Sequence, residues 1–305
     1  MLTKLKKIGL VTGLSATLLL AACGDNDANN NNNDAANNNA GGGDVGEEVN
    51  YTITGIEPGA GVVQAAENSV DEYDLDGWEV DTSSSGAMAA ALGEAIENEE
   101  PIIVTGWSPH WKFAEYDLKY LDDPEGVFGD AETINTMVRE GLSDDMPEAY
   151  ELLDNFFWSP DDLEEVMLDI SEGAQPEDAA QAWIDANEDA VNEWKEGIDE
   201  VDGEEIELVY VEWDTEIAST NVVGIVLEDL GFDVTVTPLD NAIMWEAVAT
   251  GEADAMVAAW LPDTHKEQHA EYGDQMEDLG PNLEGAKIGL VVPEYMDIDS
   301  IEDLK

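Results

Sequence analysis

From Val49 onward, short runs rich in β-branched and apolar residues alternate with longer segments whose apolar positions recur at helical spacing. Strands are predicted at 51–54, near 78–80 and at 102–104, with helices over 62–70 and 86–97 between them. The order returns further along: strands at 206–211, 234–236 and 255–257, with one helix-like segment ending at Leu230 and another over 242–250. Each half closes on a Trp, a Pro two residues later and a His. These are Trp107-Ser108-Pro109-His110 in the first half and Trp260-Leu261-Pro262-Asp263-Thr264-His265 in the second. Ile53 and Trp107 are 54 positions apart, Val209 and Trp260 are 51 apart, and a matching order at matching length predicts two lobes of related topology. Strands alternating with helices give an α/β fold. Residues 130–197 between the halves read as helical, with Leu152, Phe156, Phe157, Val166 and Ile170 among many acids. The expected division is lobe I over 49–197, a linker over 198–203 and lobe II over 204–305.

The stretch before Val49 has a different pattern. Lys4, Lys6 and Lys7 precede an apolar run over 8–22 and then Cys23, the layout of a secretory signal peptide at 1–22. The run falls short of the roughly 20 apolar residues that span a bilayer. Leu20-Ala21-Ala22-Cys23 resembles a bacterial lipobox, which makes Cys23 the lipidated first residue of the mature chain. Residues 23–48 are Asn, Asp, Ala and Gly with little to bury, and are expected to be a disordered tether. The expected location is therefore extracytoplasmic, anchored by lipid to the outer face of the cell membrane.

Charge narrows the partners. Against 72 Asp and Glu stand 10 Lys and Arg, a formal net charge of −62. Loss of residues 1–22 removes three Lys and no acid, giving −62 − 3 = −65. Nothing here could neutralise a row of phosphates, so nucleic acid is excluded as a partner. Disorder is excluded as well, because hydrophobic residues make up 43% of the chain and supply nine Trp for a core. A single cysteine allows no internal disulfide.

Ligands of open α/β sheets bind beyond the carboxyl ends of strands, and Trp107, Trp213 and Trp260 all fall there. One such Trp is as well explained by a core. Three at corresponding strand ends suggest a cage for a quaternary ammonium, which has no N–H to donate and is held by ring quadrupoles and dispersion. At the other end of such a ligand, Gly59-Ala60-Gly61-Val62 opens a helix, so the N–H groups of Gly61 and Val62 are candidate carboxylate donors. His265 is the candidate side-chain donor, set against an ordinary exposed loop His; the one Arg of the chain, Arg139, lies in the helical segment. His110 is expected either to line the same cleft or to cap it. The spacing of His110, His265 and His269 fits no common metal motif. Ser83, Ser84 and Ser85 read as a helix N-cap cluster, not as a nucleophile. No catalytic pair is identifiable, so an enzyme, a metal site and a cofactor are not expected. Trp faces also stack on sugars, which keeps a carbohydrate-binding protein or hydrolase as the alternative from another class.

Four stretches carry a family resemblance. Residues 103–111 (Ile-Val-Thr-Gly-Trp-Ser-Pro-His-Trp), 117–124 (Asp-Leu-Lys-Tyr-Leu-Asp-Asp-Pro), 212–221 (Glu-Trp-Asp-Thr-Glu-Ile-Ala-Ser-Thr-Asn) and 258–262 (Ala-Ala-Trp-Leu-Pro) resemble glycine betaine binding lipoproteins of the Opu-type ABC importers. The resemblance covers about 49–305. It implies a two-lobed, type II-like periplasmic-binding-protein fold, circularly permuted relative to other betaine receptors, with the ligand between the lobes. It further implies a Trp107, Trp213 and Trp260 cage, a carboxylate held by Gly61, Val62 and His265, and a monomer that hands glycine betaine to an ABC permease. Proline betaine is expected as a second ligand, with choline and carnitine as competitors. At 241–245, Asn-Ala-Ile-Met-Trp departs from the family's more usual Ala-Gly-Pro-Met-Trp.

Overall fold

The computed structural model describes residues 45–305. The expected signal peptide, Cys23 and most of the expected tether lie outside the described residues. The last tether positions depart from expectation. Val45–Glu48 is a helical turn with Gly46 buried, and Val45 and Val49 pack against the core.

The strands are β1 (Thr52–Gly55), β2 (Glu79–Thr82), β3 (Val104–Ser108), β4 (Leu118–Tyr120), β5 (Glu132–Arg139), β6 (Glu205–Tyr210), β7 (Asp233–Pro238), β8 (Ala255–Leu261) and β9 (Met276–Pro293). They join in the order β2-β1-β3-β9-β5-β8-β6-β7, with β4 also beside β9. In the first half β2, β1 and β3 are parallel, and β9 runs antiparallel to β3 with β4 beyond it. In the second half β7, β6 and β8 are parallel, and β5 runs antiparallel to β8 with β9 beyond it. The two halves thus repeat one plan of five strands. They share β9, whose residues 276–286 pair with β5 and whose residues 287–293 pair with β3 and β4. The chain crosses between lobes twice, in 121–131 and within β9.

That pairing moves the expected lobe boundary. Residues 130–197 contain β5, which the sequence reading missed. The strand lies mid-sheet with six of its eight residues buried, including neighbours on opposite faces, so the alternation that marks a half-exposed strand is absent. The helices that follow, Pro147–Asn155, Pro160–Ser171 and Pro176–Ala186, pack on the second half, against β5 or the helix Asp214–Asp229. Residues 198–203 run beside 230–231, also in the second half, through Val201 N–H to Leu230 O and Gly203 N–H to Gly231 O. Four large aromatics of this region serve the core: Trp183 stacks on Trp194 at 5.8 Å, with Phe156 and Trp158 edge-on to them. The result is the α/β periplasmic-binding-protein fold of type II.

Candidate functional site

Trp107 lies in β3 and Trp260 in β8, equivalent third strands of the two lobes, and each strand leads into a cis X-Pro peptide, Ser108-Pro109 and Leu261-Pro262. Trp213 follows β6 and is the residue before helix Asp214–Asp229. All three indoles are buried, and together they line one small cavity. Lobe I adds Ile56, Ala60, Gly61, Val62 and Ile288; lobe II adds Thr215 and Thr264. No wall residue is ionisable.

The helix Gly61–Glu72 points its first turn at this cavity. Its N-cap is Ala60, which has no side-chain acceptor, and the N–H groups of Val63 and Gln64 turn back to the Ala60 carbonyl. The N–H groups of Gly61 and Val62 make no hydrogen bond among the described residues, so they remain available to an anion and carry the positive end of the helix dipole. Gly61 is required for a second reason. A Cβ there would lie 2.1 Å from the backbone oxygen of Thr264, so the two lobes meet with nothing between them. The expected N-cap at the next helix is present too: Ser84 Oγ accepts from Ala87 N–H.

His265 is fully buried and not an exposed loop residue. Its ring lies nearly parallel to Trp213 at 6.1 Å and edge-on to Trp245 at 5.6 Å. Nδ1 accepts from the Trp260 backbone N–H at 3.0 Å. Burial lowers its pKa to about 3, so the neutral ring carries its proton on Nε2, a buried donor with no partner. His265 is not itself among the lining residues and adjoins Thr264, which is.

His110 does not reach the wall. It sits edge-on to Trp107 at 4.7 Å, accepts from Lys112 N–H at Nδ1, and places Nε2 3.3 Å from Asp214 Oδ2. Burial, then the Lys112 charge, lower its pKa to about 4, so it is neutral. His110, His265 and His269 form no metal group; none occurs among the described residues.

Sequence reasoning missed the layer of ionisable groups behind the indoles. Trp260 Nε1 donates to Glu216 Oε1 at 2.8 Å, and Glu216 also accepts from the Thr215 hydroxyl. Burial drives the Glu216 carboxyl up to about 7 against those hydrogen bonds. Trp213 Nε1 donates across the lobes to Glu57 Oε2 at 3.1 Å, while Glu57 Oε1 accepts from Ser85 N–H. Asp214 of lobe II binds lobe I through Trp111 Nε1 at 3.0 Å and Ser85 Oγ at 3.2 Å. Burial pushes Asp214 up, but the close His110 ring and hydrogen bonds from Trp111 and Ser85 prevail and hold it at about 2. Lys112, fully buried, sets its Nζ 4.2 Å from the Trp107 ring centroid. The only advance sign of Glu216 and Asp214 was their place in the 212–221 stretch; Lys112 gave none.

The family model for the substrate binding domain of the ABC-type glycine betaine transport system matches residues 27–186 and 204–305. The glycine betaine/carnitine transport binding protein GbuC of Listeria monocytogenes serotype 1/2a is 51% identical over 306 residues, 99% of both chains. Among solved structures, lactococcal OpuAC in its closed-liganded conformation with glycine betaine is 54% identical over 49% of this chain and 59% of that one, with a TM-score of 0.48. An ABC-transporter choline binding protein in complex with choline is 31% identical over 50% and 55% of the two chains, with a TM-score of 0.45. The chain belongs to the substrate-binding proteins of ABC-type glycine betaine transport, a family that binds its ligand and does not transform it.

Proposed function

We propose that the cavity between the lobes captures glycine betaine, and proline betaine as a second ligand, for delivery to an ABC permease outside the cytoplasmic face, with Cys23 as the lipid anchor. The observation that carries this reading is the meeting of Trp107, Trp213 and Trp260 on one apolar cavity that an uncapped helix start also lines. The indole faces suit a weakly hydrated trimethylammonium better than a hydrated sodium ion. The Gly61 and Val62 N–H groups and the unpaired Nε2–H of His265 are the three donors for the carboxylate.

Titration of intrinsic Trp fluorescence tests the reading. Glycine betaine is expected to give a saturable change, and choline, which has no carboxylate, a much weaker one. Carnitine carries both groups, and the Listeria relative is named for it, so it completes the panel. His265→Ala is expected to weaken betaine and leave choline nearly unchanged. No saturable response to betaine, or equal losses for both ligands in His265→Ala, would overturn the respective assignment.

A further inference from the structure

We infer that Glu216 and Glu57, which accept the indole N–H groups of Trp260 and Trp213, supply the counter-charge for the cation and so determine its affinity, although neither side chain lines the cavity. The inference rests on the proposed quaternary ammonium ligand.

Three observations support it. First, the wall itself holds no ionised group, so a cation entering the cavity loses its water and meets only ring quadrupoles on the wall. Second, the two carboxylates are held where they act through the rings. Glu216 is buried, and its oxygens are taken by Trp260 Nε1 and the Thr215 hydroxyl. Glu57 is fixed by Ser85 N–H at the start of helix Ser85–Glu97, where the helix dipole favours a negative charge. A carboxylate accepting an indole N–H draws the ring dipole toward itself and leaves the π face more negative. It also adds its own field across about one ring width, and that field is weakly screened once water is expelled. Third, Glu57 belongs to lobe I and Trp213 to lobe II, so this carboxylate reaches its indole from the other lobe.

The test separates charge from shape. At pH 8.5, where Glu216 is ionised, Glu216→Gln keeps a carbonyl acceptor for Trp260 and removes the charge. Glycine betaine is compared with 3,3-dimethylbutyrate, which has the same carboxylate and a neutral tert-butyl group in place of trimethylammonium. Glu216→Gln is expected to weaken betaine about tenfold and leave dimethylbutyrate unchanged or tighter. Glu57→Gln, in a half-exposed loop and tolerant of substitution, is expected to shift the same ratio about threefold, and stands alone should Glu216→Gln fail to fold. Equal losses for both ligands would show a structural role and overturn the inference, as would an unchanged ratio in Glu57→Gln. A wild-type chain that does not bind betaine would instead bring down the functional reading, and this inference with it.

Discussion

The two Trp-Pro corners share a backbone plan and differ in what stands behind the ring. Trp107 and Trp260 occupy equivalent third strands, each next to an antiparallel fourth strand, and each precedes a cis-Pro by two residues. Five residues after Trp107 comes Lys112, and five after Trp260 comes His265; both fold back beneath their own Trp. Lys112 Nζ reaches the Trp107 carbonyl at 3.4 Å, and His265 Nδ1 accepts from the Trp260 N–H. Behind Trp260 lies a carboxyl group, Glu216, while behind Trp107 lies an amine. A repeated scaffold has thus been given an acid behind one ring of the cage and a base behind the other.

The largest break in that arrangement is predicted where the Gly61 helix start meets the Trp260 corner. Gly61→Ala would put a methyl group on the Thr264 backbone, which cannot move aside as a flexible side chain would. Betaine binding is expected to fall more than a hundredfold while the melting temperature of the empty protein stays within a few degrees, since each lobe keeps its core. Tight binding by Gly61→Ala would mean that the lobes do not need this approach.

Next in size is the loss of the rings themselves. Trp260→Ala is expected to cost about 2 kcal/mol or more, some 30-fold in Kd, as for a desolvated cation–π contact. Trp107→Ala should cost less, because the Lys112 amine already occupies ring potential at that corner. Isothermal titration of both variants checks the order, and a larger loss at Trp107 would contradict the assignment of charge to the corners. Asp214→Asn follows at about tenfold. It weakens charge-assisted hydrogen bonds to Trp111 and Ser85 that hold the lobes together, contacts of about 1.5 to 3 kcal/mol each when broken outright. Its effect should fall equally on every ligand, measured as a common factor in Kd.

The sequence makes the corners legible and leaves what stands behind them obscure. Trp107, Trp213 and Trp260 follow from strand ends, and the Gly61 helix start from a Gly pair after a strand, because both are local in the chain. The layer behind depends on contacts across long stretches of chain, such as Trp213 with Glu57 and Asp214 with Ser85. In a chain with 72 acids, three functional carboxylates do not stand out. The lobe boundary was obscure for a related reason. Strand β9 belongs to both lobes and β5 is buried on both faces, so neither offers the composition shift or the alternation that marks an edge. Nothing in the sequence distinguishes Lys112, and only the fold puts it under Trp107.

The smallest effect on binding, and the most direct check on the asymmetry, concerns that lysine. Burial is the main cause lowering the Lys112 pKa from 10.5 to about 7, opposed by the Asp214 carboxylate; neutral His110, the Trp107 carbonyl and the Phe113 ring complete its surroundings. Between pH 7 and 10.5 the unfolded chain holds a proton at this position that the folded chain has lost, so this residue makes stability rise with pH across that window. Lys112→Met keeps the length and removes the amine. It is expected to raise the melting temperature at pH 7 by several degrees, with the advantage over wild type largest below pH 7 and gone near pH 10. Betaine affinity at pH 7 should rise a few-fold as the positive charge behind Trp107 disappears, and cationic choline should gain more than zwitterionic betaine. Equal melting temperatures across pH 6 to 10 would show that the amine is not held in a desolvated site. Equal gains for choline and betaine would show that Lys112 does not set the charge of this corner.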